Sequence, residues 1–417
     1  MKILLWHGYL LGGTGSNVYT RSLARAWRRL GHDVVVFCQE PHPERFDLGG
    51  ATVVRPALPG KLPVFVLDRY EDIEPELLQD MARDERRAFV EANAAAVREH
   101  LPADLVFTNH VLLGGPVGAA VGGPYAVKAH GSELEFSMRG NEELAAWARE
   151  SLASAGVVYA GSEHIRRVLE EVLGPGPHLD LVEVAPPGVD VEELRPESRD
   201  AALAGLLEES RRDRPNPGRR EERQPDPGNA ERLEAFLAGE GPVVVYVGKL
   251  SQEKGVHVLL DALRRVDARC VIVGFGPARA ELEAQAEGLR VLFTGPLEHR
   301  HLTHLWALAD VSVTPSVFPE AFGMVAAEAA ACGSPPLVAR HSGLAEISAE
   351  IEREYPHDLR YLASFHSGDA EDLAAKLRAI IELPRPDWQR LSEGARRAAV
   401  GTFGWERVAA VILSGRG

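Results

Sequence analysis

The strongest chemical signal in the sequence is a pair of glutamates, Glu320 and Glu328, separated by seven residues. Glu320 lies in a proline-bounded loop, and the alanine-rich stretch after it predicts a helix over residues 324–332 that Gly333 ends. The first N–H groups of a helix have no partner inside the helix, so they can bind hydroxyls or a phosphate. The residues at this predicted helix start are Phe322, Gly323, Met324 and Val325.

Glu328 is predicted to lie on the same helix face as Met324, one turn further along. A carboxylate on a helix otherwise lined by alanine is costly to bury unless it has a partner or a ligand. We therefore expect a diphosphate at the helix start, a sugar near Glu320 and a ribose diol near Glu328.

Two lysines five positions apart, Lys249 and Lys254, follow the strongest predicted strand, Val243–Val247. Gly248 lets the chain turn directly after that strand. The two ammonium groups can converge on one dianion, because lysine binds phosphate as a point charge. A solvated loop that contains lysines without a binding role is the alternative.

Two later strand ends are expected to receive a nucleobase. Gly274 directly follows the predicted strand Cys270–Val273, and Leu297 follows Val291–Phe293 after a turn. Glycine lets the backbone approach a flat ligand closely, and the backbone near Leu297 can present polar groups to the edge of a base.

Weaker candidates lie in the first half of the chain. His130 follows Tyr125–Val127, so it falls at the carboxyl end of a strand, where open α/β sheets bind ligands, and its ring can donate to a hydroxyl or a phosphate. Gly12 and Gly13 belong to a glycine-rich turn before a helix predicted over residues 18–30. A structural histidine and a packing turn are the alternatives, since neither signal is specific alone.

Short apolar runs that alternate with amphipathic stretches must position these residues. The runs are almost uniformly apolar, which is typical of parallel strands covered on both faces. Their repetition predicts an α/β protein with two Rossmann-like, doubly wound parallel sheets. The predicted strands are Ile3–Trp6, Val34–Phe37, Leu105–Phe107, Tyr125–Val127, Val157–Tyr159, Val182–Val184, Val243–Val247, Cys270–Val273, Val291–Phe293, Val311–Val313 and Pro336–Val338.

The 417 residues are enough for two domains. We predict a first domain over residues 1–188, a second over 189–401, and a final helix at about 402–417 that packs back on the first. A stretch rich in Arg, Glu, Pro and Gly predicts a mobile polar insertion at about 205–232, because it has few apolar side chains to offset its ordering entropy.

Composition excludes several classes of function. The net charge of −15 argues against a nucleic-acid-binding protein, which needs a basic face. The three cysteines are far apart and lack metal-ligand spacing, as expected for buried thiols in a reducing compartment. No apolar run approaches the ~18 residues needed to cross a bilayer, and nothing indicates peripheral membrane contact. We therefore expect a cytoplasmic protein, of undetermined oligomeric state.

Together the motifs resemble those of the large retaining glycosyltransferase family 4. The resemblance covers most of the chain and is strongest over residues 243–346. It rests on Gly248-Lys249-Leu250, Glu253-Lys254-Gly255, Pro315-Ser316, Glu320-Ala321-Phe322-Gly323, Glu328-Ala329 and Gly333, with looser matches at Gly12-Gly13 and His130-Gly131-Ser132-Glu133.

The resemblance implies a glycosyltransferase B fold, in which an acceptor domain and a donor domain face each other across a cleft. Glu320 is then expected at the transferred sugar, Glu328 at the donor ribose, Lys254 at the diphosphate and His130 near the sugar and phosphate. Lys249 stands where the family usually has arginine, so it keeps the charge but loses the bidentate fork.

The family also implies the type of reaction. The donor is a nucleoside-diphosphate hexose, with UDP as the default nucleotide and GDP-mannose and ADP-glucose next, and the acceptor is a hydroxyl. No cofactor is expected, and no carboxylate cluster of the DxD type suggests a metal. The segment Ser342-Gly343-Leu344-Ala345-Glu346 departs from the family's paired glycines followed by Pro-Glu, which leaves the role of Glu346 open.

Three alternatives remain at this stage. Glu40 follows the second strand and can mimic the ribose-binding acid of an NAD-dependent oxidoreductase, although the glycine spacing is poor. A nucleotide-sugar epimerase of the same fold would act without an acceptor. A non-catalytic protein that binds sugar nucleotides would show no turnover.

Overall fold

The computed structural model describes residues 1–13, 15–67, 73–219 and 222–415. The chain forms two compact units. Unit 1 runs over residues 1–188 and resumes at Trp405, and unit 2 is Val189–Gly404. No helix within the described ranges is long and apolar enough to cross a membrane.

In unit 1, strands and helices alternate along the chain. Its elements up to residue 188 are β1 Lys2–Trp6, α1 Gly15–Arg29, β2 Asp33–Phe37, β3 Thr52–Val54, β4 Leu62–Val64, β5 Pro75–Leu77, α2 Arg83–Arg98, β6 Leu105–Asn109, α3 Gly115–Val121, β7 Tyr125–Lys128, α4 Gly131–Glu133, α5 Glu142–Leu152, β8 Ala155–Ala160, α6 Glu163–Leu173 and β9 Val182–Val184.

The main sheet of unit 1 is parallel, with the order β3-β2-β1-β6-β7-β8-β9, and β4 pairs with β5 separately. Alternate side chains of a strand face opposite sides. In β1, Leu4 and Trp6 therefore pack into one core layer, while Ile3 and Leu5 pack into the other. Burial on both faces is the reason these strands are apolar throughout.

Unit 2 repeats the pattern after two helices. Its elements are α7 Arg199–Arg211, α8 Asn229–Leu237, β10 Val243–Val247, α9 Val256–Leu263, β11 Arg269–Val273, α10 Arg279–Gln285, β12 Val291–Phe293, α11 His299–Leu308, β13 Val311–Thr314, α12 Met324–Ala331, β14 Pro336–Ala339, α13 Ser342–Glu354, β15 Ser364–Phe365, α14 Ala370–Ile381 and α15 Arg385–Ala398.

The sheet of unit 2 is also parallel, with the order β12-β11-β10-β13-β14-β15. The chain progresses outward from β10 to β12 and then returns to the other side of β10 as β13. The carboxyl ends of β10 and β13 therefore flank a switch point, which is where open α/β sheets bind ligands. All eleven strands predicted from the sequence are confirmed, and the short strands β3, β4, β5 and β15 were not predicted.

A last helix, α16 Trp405–Ser414, belongs to unit 1. Trp27 Nε1 donates to Ala409 O at 3.2 Å, and Tyr159 OH donates to Ile412 O at 2.9 Å. Buried residues of α16 complete the core layer that α1 covers.

The polar stretch at about 205–232 is described except for residues 220 and 221. Helices α7 and α8 cover its two ends, and Leu206 and Leu207 are buried in the unit 2 core. Asp226, from its middle, is also buried. The described part of this stretch is thus packed on unit 2, while its mobility stays a prediction.

Candidate functional site

A short ion pair joins two of the predicted site residues. Lys254 Nζ lies 2.5 Å from Glu320 Oε1, and the Ser316 hydroxyl donates to the same oxygen over 2.5 Å. Lys254 ends a short turn after β10, and Glu320 lies between β13 and α12. The Lys254 and Glu320 side chains are 34% and 20% exposed, so a ligand can reach both charges from solvent.

Gly255 allows the two loops to meet. Its φ is +67°, and a Cβ there would lie 1.9 Å from Pro315 O, so only glycine fits without moving a loop. The N–H groups of Val317 and Phe318 also donate to Glu253 O at 2.9 and 3.2 Å. Backbone contacts therefore fasten the Lys254 loop to the Glu320 loop.

The loop after β14 fixes the backbone at Glu320. The Glu320 N–H donates to Ser342 Oγ at 2.8 Å, and the Gly343 N–H donates to Glu320 O at 3.0 Å. Ser342 in turn donates to His341 Nδ1 at 2.9 Å, while His341 Nε2–H donates to Ser316 O at 2.6 Å. This chain of bonds assigns the Nε2-protonated tautomer to His341.

The departure from the family's paired glycines has a structural counterpart. Ser342 adopts φ +48°, a left-handed conformation that costs on the order of 1 kcal/mol outside glycine. Its two hydrogen bonds, to Glu320 and His341, offset that cost. Gly343 remains necessary, because a Cβ there would lie 2.6 Å from Ala321 O.

Helix α12 begins directly after this loop, as predicted. Gly323 precedes it with φ +112°, and a Cβ at Gly323 would lie 2.7 Å from Leu344 Cδ2. The first hydrogen bond of the helix runs from the Ala326 N–H to Gly323 O at 2.9 Å. The N–H groups of Met324 and Val325 therefore have no partner within the helix. The Phe322 side chain is buried.

Glu328 lies one turn into α12 and is half-buried. Burial raises the pKa of the Glu328 carboxyl to about 7. Among the residues that the structure describes, its carboxylate has no hydrogen-bond partner, unlike that of Glu320. The contact of Glu328 with a donor ribose, expected from the family resemblance, stays a prediction.

The loops after β10, β11 and β12 lie side by side. Gly248 N–H donates to Val273 O at 3.0 Å, and Gly274 N–H donates to Gly295 O at 2.9 Å. A Cβ at Gly274 would lie 1.8 Å from Gly248 O, so this close approach requires glycine. Leu297 is buried two residues beyond Gly295.

Lys249 belongs to the same β10 loop, where Tyr246 OH donates to Lys249 O at 2.9 Å. A hydrogen bond from Ser251 and then the charges of Lys249 and Lys254 lower the pKa of Glu253, so both lysines lie near one acid. The structure pairs Lys254, rather than Lys249, with Glu320.

His130 lies in unit 1 at the end of β7, in a cluster of polar side chains. Its Nε2 lies 2.9 Å from Asn109 Oδ1, and its N–H donates to Glu133 Oε1 at 2.6 Å. Glu133 Oε2 lies 3.1 Å from His110 Nδ1, and the His110 and His130 ring centroids are 4.5 Å apart. Burial first, and then the charges of His110, Lys128 and His7, hold the pKa of His130 well below its usual range. His130 is therefore neutral at neutral pH.

The turn with Gly12 and Gly13 lies in the same unit. Asn17 Nδ2 donates to Gly12 O, and Gly13 has φ +90° with open space where a Cβ would be. Glu40 accepts the Leu11 N–H at 3.1 Å, so this carboxylate holds the turn. The structure thus gives Glu40 a local role other than the ribose contact of a dehydrogenase.

Several residues in these networks were given no role from the sequence, although Ser316, Ser342 and Glu133 lie within the motifs quoted from it. They are His7, Ser316, His341, Ser342 and the carboxylate of Glu133. A positional signal existed for some of them, because His7 directly follows β1 and His341 lies just beyond β14. Within the described parts of the chain, no group of three or more His, Cys, Asp or Glu side chains could hold a metal ion.

Comparison with known proteins decides the family. A family model described as "Glycosyl transferase 4-like domain" matches residues 14–188, and one described as "Glycosyl transferases group 1" matches residues 230–398. The chain belongs to glycosyltransferase family 4. Neither the oxidoreductase nor the epimerase alternative is what these models describe.

Curated relatives agree with this assignment. This glycosyltransferase is 38% identical, over 41% of its length and 43% of the relative's, to a GDP-mannose-dependent alpha-(1-6)-phosphatidylinositol dimannoside mannosyltransferase of Mycobacterium tuberculosis. It is 29% identical, over 96% of its length and 90% of the relative's, to a D-inositol 3-phosphate glycosyltransferase of Xylanimonas cellulosilytica. The match to the first relative therefore spans less than half of that protein.

Solved structures show the fold. Sucrose-phosphate synthase from Thermosynechococcus elongatus matches with a TM-score of 0.68 at 22% identity, covering 99% of this chain and 97% of that one. The Anabaena protein HepE in complex with UDP matches with a TM-score of 0.69 at 19% identity, covering 99% of each chain. The protein has the glycosyltransferase B fold.

Proposed function

We propose that this glycosyltransferase moves a hexose from a nucleoside-diphosphate sugar to an acceptor hydroxyl, retains the anomeric configuration and needs no metal ion. The observation that carries the proposal is the Lys254–Glu320 pair, four residues before the start of α12. An ammonium group, unpaired helix amides and a carboxylate in one place match the diphosphate and the sugar of such a donor.

The chemistry follows from where charge develops. The bond between the anomeric carbon and the β-phosphate oxygen breaks, which leaves negative charge on the nucleoside diphosphate and positive character on the sugar. Lys254, Lys249 and the first amides of α12 stabilise the leaving phosphate, and no divalent cation is required for that purpose. Glu320 accepts hydrogen bonds from the sugar hydroxyls.

Retention requires attack on the face that the phosphate leaves. In the proposed reaction the acceptor oxygen bonds to the anomeric carbon on that face, and the acceptor proton passes to the departing phosphate oxygen. The products are the glycoside and the nucleoside diphosphate. Glu320 and Glu328 are both committed to binding, so no side chain is assigned as a covalent nucleophile.

Unit 1 is proposed to select the acceptor. The neutral His130 is suited to donate to, or accept from, a sugar hydroxyl, in line with the family resemblance. Both curated relatives carry an inositol phosphate in the names of their substrates. An acceptor panel therefore begins with D-inositol 3-phosphate and phosphatidylinositol mannosides.

Donor identity is tested first by thermal shift with nucleoside diphosphates and their hexoses. A ligand at 100 times its Kd stabilises the folded protein by about 2.7 kcal/mol, so the correct donor gives the largest rise in Tm. Transfer with that donor is then measured with and without EDTA, and proton NMR of the product reports the anomeric configuration. Inversion or a requirement for metal would refute those parts of the proposal.

Two variants test the residues. Glu320→Gln is expected to lower kcat by at least about 100-fold with little change in the Kd of the nucleoside diphosphate, a scale typical of lost transition-state contacts. Lys254→Ala is expected to weaken nucleotide binding and turnover together. Glu350→Gln and Lys376→Ala are the matched controls, because neither residue is among the buried residues of α13 and α14. Wild-type turnover in both site variants would overturn the assignment.

A further inference from the structure

A closed ring of hydrogen bonds runs through both the backbone and the side chain of Glu320. The His341 Nε2–H donates to Ser316 O at 2.6 Å, and the Ser316 hydroxyl donates to Glu320 Oε1 at 2.5 Å. The Glu320 N–H donates to Ser342 Oγ at 2.8 Å, and the Ser342 hydroxyl donates to His341 Nδ1 at 2.9 Å. A carbonyl oxygen can only accept and a backbone N–H can only donate, so the direction of the ring is fixed.

His341 joins the two contacts that hold Glu320. The Ser342 contact fixes the Glu320 backbone, and the Ser316 contact fixes one carboxylate oxygen. One imidazole nitrogen of His341 holds Ser316, and the other holds Ser342. Because imidazole is a rigid planar ring, its two nitrogens set the spacing between the loop after β13 and the loop after β14.

The imidazole of His341 is not used to cap the helix that follows it. His341 is the N-cap residue of α13, a position where Ser, Thr, Asp or Asn usually accepts a bond from the first turn. The His341 side chain makes no such cap bond. Its two nitrogens are instead directed at Ser316 and Ser342, toward the Glu320 loop.

Ser342 supplies its hydroxyl from a strained backbone conformation. Its φ is +48°, in the left-handed region that favours glycine, and the family's paired glycines would avoid this strain. Glycine, however, has no hydroxyl to accept from the Glu320 N–H and to donate to His341. Strain of this kind concentrates at functional sites, where neighbouring contacts maintain it.

We infer that His341 is a positioning residue for the transfer reaction, which orients the Glu320 carboxylate toward the donor sugar through Ser316 and Ser342. The inference rests on the proposed function, which assigns Glu320 to the sugar hydroxyls. Glu320 Oε1 receives both Lys254 Nζ and the Ser316 hydroxyl, so Oε2 is the oxygen presented to the sugar. Opening the ring lets the carboxylate rotate and turns Oε2 away from that direction.

The test is turnover, measured as the nucleoside diphosphate released from UDP-glucose, GDP-mannose or ADP-glucose with D-inositol 3-phosphate as acceptor. His341→Phe keeps an aromatic ring without its nitrogens. It is expected to lower kcat about ten-fold, the rate equivalent of about one net hydrogen bond. The Kd of the nucleoside diphosphate, measured by calorimetry, is expected to change less than about two-fold, because the lost contact acts on the transition state.

A second variant opens the ring at another point. Ser342→Gly removes the hydroxyl, and glycine adopts the positive φ without strain, so the fold is retained. This variant is expected to lower kcat by the same factor as His341→Phe. The double variant is expected to lose no more than either single variant, because both changes open one ring. Losses that multiply in the double variant would contradict the inference.

A conservative variant tests for rescue. His341→Gln keeps an amide that can donate to Ser316 O, so it is expected to recover part of the kcat that His341→Phe loses. Equal kcat in the two variants would show that the hydrogen bonds of the His341 ring do not position Glu320.

The Glu320→Gln background separates this inference from the proposed function. His341→Phe is expected to cause no further loss in that background, because it acts through the Glu320 carboxylate. A further loss of the same size would overturn the inference and leave the proposed function standing. Wild-type turnover in Glu320→Gln alone would instead overturn the proposed function.

Two controls and one measurement without ligand complete the test. Ser367→Ala removes another hydroxyl that donates to Ser316 O, at 3.4 Å, and His366→Phe replaces an exposed histidine of unit 2. Both controls are expected to keep wild-type kcat. Nitrogen-15 NMR at pH 8, with His341→Phe to identify the signals, is expected to show the Nε2-protonated tautomer of His341. An Nδ1-protonated imidazole would overturn the inference whatever the substrate.

Discussion

Replacing Glu328 by glutamine tests the electrostatics of helix α12. Burial raises the pKa of Glu328 from 4.5 to about 7. Each pH unit between these values is worth about 1.4 kcal/mol of folding free energy, so the ionised carboxylate costs the folded protein up to about 3 kcal/mol. This figure is an upper bound, because a half-buried carboxylate keeps some contact with water.

The sign follows from which state holds the proton. Between pH 4.5 and 7 the folded protein keeps the Glu328 proton that the unfolded chain releases. The contribution of Glu328 to stability is therefore complete below pH 4.5 and is lost as the pH rises through 7. Glu328→Gln has no proton to lose, so its free energy of unfolding is expected to exceed that of wild type increasingly from pH 5 to pH 8.

The assay is urea unfolding at half-unit steps from pH 5 to pH 8, with Glu350→Gln as the control, because Glu350 is a half-buried glutamate of unit 2 that is paired with Arg353. If the free energy of unfolding depended on pH in the same way for wild type and Glu328→Gln, the reasoning would be refuted. Glu328 would then titrate alike in the folded and the unfolded protein.

A second readout tests the ribose contact. Hydroxyls that donate to Glu328 favour its ionised form, so nucleotide binding between pH 6 and 7 is expected to release a proton from this group. Calorimetry in buffers of different ionisation enthalpy measures that release. The proton is expected to be missing in Glu328→Gln, together with part of the affinity. Equal proton release in both proteins would place the ribose elsewhere.

Two further changes test how the fold positions its functional groups. Gly255→Ala is expected to abolish nucleotide binding by calorimetry and to lower Tm, because the new Cβ would lie 1.9 Å from Pro315 O and would push the Lys254 loop away. In unit 1, burial lowers the pKa of Lys128 from 10.5 to about 7, so the unfolded chain holds a proton that the folded protein has released and wild-type stability rises with pH across that window. Lys128→Met is expected to remove the rise between pH 7 and 9 in urea unfolding, and a retained slope would contradict the burial argument.

The pairing of Lys254 with Glu320 could be predicted from the sequence, although the two residues are 66 positions apart. Each residue follows a uniformly apolar strand, and the carboxyl ends of parallel strands meet at one sheet edge. The same argument does not predict the contribution of the loop after β14. That loop takes part through Ser342, whose positive φ and hydroxyl contacts no sequence pattern indicates.

The short strands and the polar stretch at about 205–232 show a second limit of prediction from sequence. Strands β3 and β15 have only three and two residues, too few for a hydrophobic period, and pairing with a longer neighbour defines them. The stretch around Asp226 has the composition of a mobile loop. Its described part is nevertheless anchored, because one buried carboxylate meets the guanidinium of Arg279, 53 residues later.

The amino-acid sequence by itself determined the α/β architecture, the two parallel sheets and the family motifs around Lys254 and Glu320, since apolar runs, glycines and helix starts act through local geometry. Only the tertiary structure decided which charges meet and which lose water. Burial and electrostatic pairing depend on neighbours distant in sequence, and these neighbours alone raise the pKa of Glu328 and lower that of Lys128.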